Sequence, residues 1–166
     1  MDRSCDVRPF SASLVAWALV WGGALGCGSS SPSGPGAPLL LQVGGQYQIQ
    51  VAVTENDCGN VDVLPLPTAV AHTAGAADFS LTHGSNTYAG HVSTDGRFTT
   101  DPLSLRDTDG STLTVRIEGR FSTGGLEALV TVGVQRPSSR PPGQASTCQY
   151  VVRWTGTKVG PPNVLP

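Results

Sequence analysis

The sequence predicts an all-β fold, an antiparallel up-and-down meander closed into a small eight-stranded barrel, with a β-sandwich as the runner-up. Three observations predict it. The 166 residues include 21 glycines and 13 prolines, and only 13% are charged, against roughly 25% charged in typical soluble domains. Such a chain is too rich in turn formers for a long helical bundle or coiled coil. From Leu39 onward no segment keeps a 3.6-residue period, whereas several alternate strictly between apolar and polar residues, the mark of half-buried antiparallel strands. Turn-forming pairs punctuate these segments at short intervals, Asp95-Gly96 being the strongest hairpin signal.

The strands are expected near 46–54, 61–71, 77–83, 87–94, 97–106, 111–122, 125–135 and 147–158. In the first, Tyr47, Ile49, Val51 and Val53 share the inner face and Gln46, Gln48 and Gln50 the outer. The second, Val61–His72, holds Pro65 and Pro67 and is at best a broken edge strand. A two-residue turn at Asp95-Gly96 pairs Val92 with Thr99 and turns Phe98 outward. Burying Phe98 requires a register shift and a bulge near Asp101-Pro102. The next two strands are self-consistent about Thr123-Gly124-Gly125. Pairing Phe121 with Leu126 sets Ile117 against Val130 and Val115 against Val132, all inward, and Arg120 opposite Glu127 as a surface ion pair. Leu113, Ala128 and Val134 complete that face. The last strand turns Cys148, Tyr150, Val152 and Trp154 inward. Tyr47, Phe79, Phe121, Tyr150 and Trp154 are expected to fill the barrel.

The N-terminal 26 residues read as an address. Phe10–Gly26 is uncharged and short for a membrane span, and Arg3 and Arg8 precede it with Asp2 and Asp6 between and before them. A cleaved signal peptide is expected, with an uncleaved anchor as the alternative. Ala24-Leu25-Gly26-Cys27 resembles the lipobox of bacterial lipoproteins, with Ala24 and Leu25 in swapped order; Ala24 and Gly26 also satisfy the small-residue rule for ordinary signal cleavage, which stays open. The resemblance implies lipid on Cys27, and Gly28 in place of an aspartate implies the outer membrane, on its periplasmic face or the cell surface. Cys5 leaves with the signal. With Cys27 lipidated, Cys58 and Cys148 remain as a pair, and a closed even-stranded meander brings them within the ~7 Å that a disulfide needs. Residues 28–38 (GSSSPSGPGAP) form a tether reaching roughly 18 Å. The β domain spans 39–159, and 160–166 is a Pro-rich tail.

Gly45-Gln46-Tyr47 resembles the Gly-x-Trp motif that opens the first lipocalin strand, with Tyr in place of Trp. This similarity implies a lipocalin-like barrel across Gly44–Lys158. The tight turns and the tether fall at one end of the barrel. The opposite rim collects 55–60, 84–87, 107–110 and 136–147.

Chemistry is sparsely signalled. A net charge of −2 with no basic run speaks against nucleic acid. His72, His83 and His91 show no metal-ligand spacing, and His83 and His91 fall on opposite faces. Asp107-Thr108-Asp109-Gly110 begins like a calcium loop but lacks its later ligands, so a hairpin turn is expected. No nucleophile or nucleotide motif occurs. No metal, cofactor or catalytic residue is expected. His83 and Tyr88 are the candidate ligand contacts. The expected function is a membrane-anchored, non-catalytic binding or structural role, with a protein or small apolar ligand at the rim. A lipocalin-like carrier and a hydrolase without a recognisable motif are the alternatives.

Overall fold

The computed structural model describes residues 39–139, 142–143 and 145–166. The expected signal peptide, Cys27 and the tether lie outside the described residues. Nine strands follow in chain order: β1 (Gly45–Asn56), β2 (Thr68–His72), β3 (Asp78–His83), β4 (Asn86–Val92), β5 (Arg97–Thr100), β6 (Leu103–Arg106), β7 (Thr112–Ser122), β8 (Gly125–Gln135) and β9 (Thr147–Val159). All pairings are antiparallel. The order is β5-β4-β3-β2-β1-β9-β8-β7-β6, and an additional β5–β7 pairing closes the ring. Eight strands form the barrel wall and β6 is the extra one, so the predicted barrel stands and the sandwich is excluded.

The extra strand is one half of the predicted strand 97–106. Phe98 pairs with Val92 and with Gly119, whereas Leu103 pairs with Val115. The residue numbers of paired partners sum to 217 below the break and to 218 above it. A one-residue slip therefore falls at Asp101-Pro102, where proline could not donate to the ladder. The predicted two-residue turn at Asp95-Gly96 is corrected at the same time. Gly96 N–H bonds to Ser93 O and Ser93 N–H to Arg97 O, a longer loop that moves the register and buries Phe98.

The β7–β8–β9 register is the predicted one, including Phe121–Leu126, Ile117–Val130 and Val115–Val132. Arg120 does face Glu127 across the ladder. Their expected ion pair gives way to another contact: Arg120 Nε donates to Asp95 O at 3.1 Å, since the loop of the β4–β5 hairpin lies closer to the guanidinium. In the second predicted strand only 68–72 is regular. Its two prolines remove consecutive ladder donors from the first half. The surviving piece is no edge, because β1 and β3 pair with it on either side. A bulge between Val53 and Glu55 lifts the end of β1, and Val53 is exposed where an inward position was expected.

The staves are unequal. Those of 11–13 residues, β1, β7, β8 and β9, alternate with none of the short ones; β2–β5 have four to seven residues. At about 3.3 Å per residue, the long strands run roughly 40 Å and the short ones roughly 20 Å along their own length. Closure also needs a sharp corner, provided by Gly119 opposite Phe98. A Cβ there would lie 2.2 Å from Glu127 O and 2.7 Å from Ala128 Cβ.

The interior is filled by its own side chains. Phe79, Phe98 and Phe121 meet one another with ring centroids 4.6–5.9 Å apart, and Tyr47 joins at 5.9 Å from Phe121. All are buried, with Ile117, Leu81, Leu126 and Trp154 around them. Tyr150, also expected inside, is half-buried.

One end of the barrel is closed by the two segments that flank the strands. Leu41 and Val43 are buried there, and Gln42 and Val164 exchange backbone hydrogen bonds. The residues expected to be a Pro-rich tail thus complete a floor, and Asn163 pins it. Its Nδ2 donates to Ser122 O at 2.6 Å and Gly125 O at 3.2 Å. Its Oδ1 accepts from Lys158 Nζ at 2.7 Å and lies 2.9 Å from the Tyr47 hydroxyl, which also reaches Val43 O at 2.6 Å. Burial pushes the Tyr47 phenol up to about 12, against the opposing pull of Asn163, so the ring stays a neutral donor. Asn163→Ala removes the side-chain donor to two carbonyls and the acceptor of Lys158 Nζ, and leaves the phenol only Val43 O; each buried group left unsatisfied costs about 1–3 kcal/mol. We expect urea unfolding to show a loss of at least ~2 kcal/mol; a loss within experimental scatter would refute the pinning role.

Candidate functional site: the barrel mouth and rim

Opposite the floor, the short staves end at His83 while β9 continues past Trp154. The two rings face each other across the barrel, centroids 4.3 Å apart and 33° from parallel. Antiparallel pairing brings Thr68 beside His83, and Thr68 Oγ1 lies 2.7 Å from His83 Nδ1 and donates to Leu66 O at 3.1 Å. Desolvation holds the His83 imidazole below its ordinary 6.5. Tyr150 on β9 carries the lining toward the rim, and Tyr88 on β4, opposite Leu81, is buried on the inner face. Burial raises both phenols, helped by the neighbouring Tyr150 at Tyr88 and by the Asp107 carboxylate at Tyr150, so both are held as neutral hydroxyls. Leu105, Leu113 and Val134 pack against the core from the long strands and β6, and Val63 from the strandless segment packs against it as well.

Of the two predicted ligand contacts, the structure places His83 against Trp154 and Tyr88 beside Tyr150. They share the inner face without forming one site. Sequence reading had put Trp154 inside but missed its stacking on His83. The stagger of the closed barrel decides that contact, because it sets which residues share a height.

The rim is stapled on its tall side. Cys58 and Cys148 are disulfide-bonded, as predicted, with Cα atoms 5.0 Å apart. Asp57 and Gln149 bond through their backbones and through the Asp57 carboxylate. Arg136 spans the seam, donating to Cys58 O at 2.9 Å and Ala145 O at 3.1 Å. The only His/Cys/Asp/Glu grouping of metal-binding size among the described residues is Asp57 with these cysteines, and its sulfurs are already bonded to each other.

The Asp107–Gly110 loop is a turn. Asp107 accepts from Thr108 N at 2.6 Å, and the Asp109 carboxylate accepts from Ser111 N at 2.7 Å and Ser111 Oγ at 2.9 Å. Those bonds hold Asp109 below the usual carboxylate range. His91 points outward, as expected, and bonds Asp78 at 2.6 Å. His72 lies near the floor, its Nε2 2.9 Å from Ala76 O.

Fold and site define a class: a disulfide-clamped antiparallel β-barrel with a filled interior, a pinned floor and an aromatic mouth. Comparison with family models, curated proteins and solved structures finds no match to the chain.

Two expectations follow. The 90-residue separation of the cysteines is worth up to ~4–5 kcal/mol in the chain-entropy description. Cys58→Ser with Cys148→Ser should therefore lower the urea midpoint markedly, and an unchanged midpoint would show the clamp to be idle. His83 is protonated more readily in the unfolded chain than in the folded one. Stability contributed by neutral His83 is thus present above pH ~6.5 and declines as pH falls toward its depressed folded value. Unfolding free energies measured from pH 7.5 to 5.5 should drop, and His83→Gln should flatten that part of the decline.

Proposed function

We propose that the chain is an exported lipoprotein, anchored through Cys27 to the outer membrane, whose barrel has a non-catalytic binding or structural role and offers its loop rim to a partner. The polarity of the barrel carries this reading. The chain enters at the floor through residues 39–44, while the two longest connections, from β1 to β2 and from β8 to β9, leave and rejoin the strands at the opposite end. An anchor preceding residue 39 therefore holds the floor toward the membrane and the rim away from it. Loops on a rigid scaffold are a favoured place for recognition, and here one side of the rim is fixed by the clamp.

Other observations support the same reading. A disulfide persists in exported, oxidising compartments. The aromatic cluster occupies the space that a lipocalin-like carrier would give to its ligand, since eight strands leave room for side chains or for one small molecule. Each histidine has a structural contact, which weighs against a hydrolase built on one of them.

Metabolic labelling with a fatty acid tests the anchor. The unaltered chain should take up label and sediment with membranes, and Cys27→Ser should lose both properties. Sedimentation that survives this substitution would overturn lipid anchoring. A photo-crosslinker at Thr108 in the anchored protein should give a discrete protein adduct, whereas its absence from all rim positions would overturn the partner role.

A further inference from the structure

The two ends of the barrel differ in charge as well as in loop length. The floor is built from 39–44, 73–77, 93–96, 123–124 and 160–166, and these segments contain one ionisable side chain, Asp95. Arg97 Nε lies 3.4 Å from the Asp95 carboxylate. The rim carries Asp57, Asp62, Asp107, Asp109 and Arg136 on its described loops.

Large apolar side chains stand out of the protein at the floor, as Leu64 and Leu66 do on the 57–67 connection at the other end. Leu39 and Leu40 are 69% and 56% exposed. They border a groove of about 310 Å³ lined by Leu41, Ala76, Ala77, Val92 and Pro166. Leu40 also packs on the 73–77 loop, where a Cβ at Gly75 would lie 3.4 Å from its Cδ2. The loop itself, Thr73-Ala74-Gly75-Ala76-Ala77, has no charged side chain. The polar groups over this part of the surface are hydroxyls, backbone, the Gln42 amide and the Asp95–Arg97 pair, with the exposed Asp78–His91 pair at its edge.

We propose that this floor is a lipid-contact face: Leu39, Leu40 and the 73–77 loop rest in the headgroup–acyl boundary of the membrane that carries the anchor. The occupant is chosen by the chain itself. Leu39 begins only 12 positions after Cys27, and an 11-residue tether reaches roughly 18 Å as a random coil. A floor held that close meets lipid continually, at a high effective concentration. Low charge and paired exposed leucines suit an interfacial environment, where binding grows with buried apolar area. The inference rests on the Cys27 anchor for its proximity argument, and it turns the anchored barrel from a freely tethered body into one with a fixed orientation, rim outward.

The test uses the full chain on phosphatidylethanolamine–phosphatidylglycerol vesicles, with an environment-sensitive fluorophore at Ala74→Cys on the floor or Thr108→Cys on the rim. Fatty-acid labelling of the same preparations reads the anchor separately. On vesicles, the floor probe should shift to the blue and lose several-fold in quenching by an aqueous quencher, and the rim probe should not change. Leu39→Asp with Leu40→Asp should return the floor probe to its solution behaviour while the fatty-acid label stays. A floor probe that remains fully quenchable on vesicle-bound, labelled protein would overturn the lipid-contact face and leave the anchor intact. If no fatty-acid label is taken up, the anchor fails, and the face is then read on Cys27→Ser protein at high lipid concentration. There the two aspartates should weaken vesicle partitioning about tenfold or more, and equal partitioning would overturn the face.

Discussion

Closure of the sheet depends on where the Phe98 ring goes. Left on the register of a two-residue turn, Phe98 would face water and Thr99 would face the core. The longer 93–96 loop reverses this, and the ring enters between Phe79 and Phe121. Burying a phenylalanine is worth about 1.5–3 kcal/mol, with more from ring geometry, which exceeds what one ladder irregularity forfeits. That irregularity is the slip at Asp101-Pro102. It lets one predicted strand pair with the lower half of β7 in one register and with its upper half in the next. Gly119 completes the device, since a side chain at the corner would run into the β8 backbone. Hairpin loop, buried ring, proline break and glycine corner are thus one solution to the problem of closing eight strands.

The same reasoning explains what was legible in the sequence. In β7, β8 and β9 long alternating runs meet across short turns, so the inward set of each fixes the register of the next. The pairing Phe121–Leu126 and all that follows from it could be read without coordinates. The cysteine pair was legible because strand parity alone decides whether the ends of β1 and β9 meet. Phe98 was legible as a conflict: alternation and turn chemistry disagreed there, and the bulge needed to reconcile them had a proline waiting for it.

The misses have a common physical origin. Val61–Pro67 is apolar, and apolarity without donors reads as a strand although prolines cannot hold a ladder. Asn163 sits in a Pro-rich stretch with no periodicity, and its four side-chain bonds go to residues 5 to 116 positions away. No local pattern encodes such a contact. Arg120 faces its predicted partner, yet a loop carbonyl 25 residues back is nearer. Cross-strand alignment limits which side chains can meet, and the surrounding loops decide which do. The His83–Trp154 stack belongs with these cases, because it follows from the stagger of strands around the barrel, which alternation along one strand does not reveal.

A filled interior changes what a barrel of this size can do with its surface. With aromatic rings meeting across the centre and a pinned floor beneath them, the wall has little freedom to breathe, and recognition is displaced to the ends. The ends are unlike. At the rim, carboxylates stay in water and the disulfide holds β1 to β9 where the tall staves overhang. At the floor, polar groups have been gathered inward onto Asn163 and Tyr47, which leaves leucine and alanine on the outside. Internal satisfaction of the floor's polar atoms is what permits its outer surface to be apolar. An unpinned floor would expose those carbonyls and amides and could not lie against lipid without a desolvation penalty. The residue that seals the barrel is therefore also the one that makes a lipid-facing floor physically affordable.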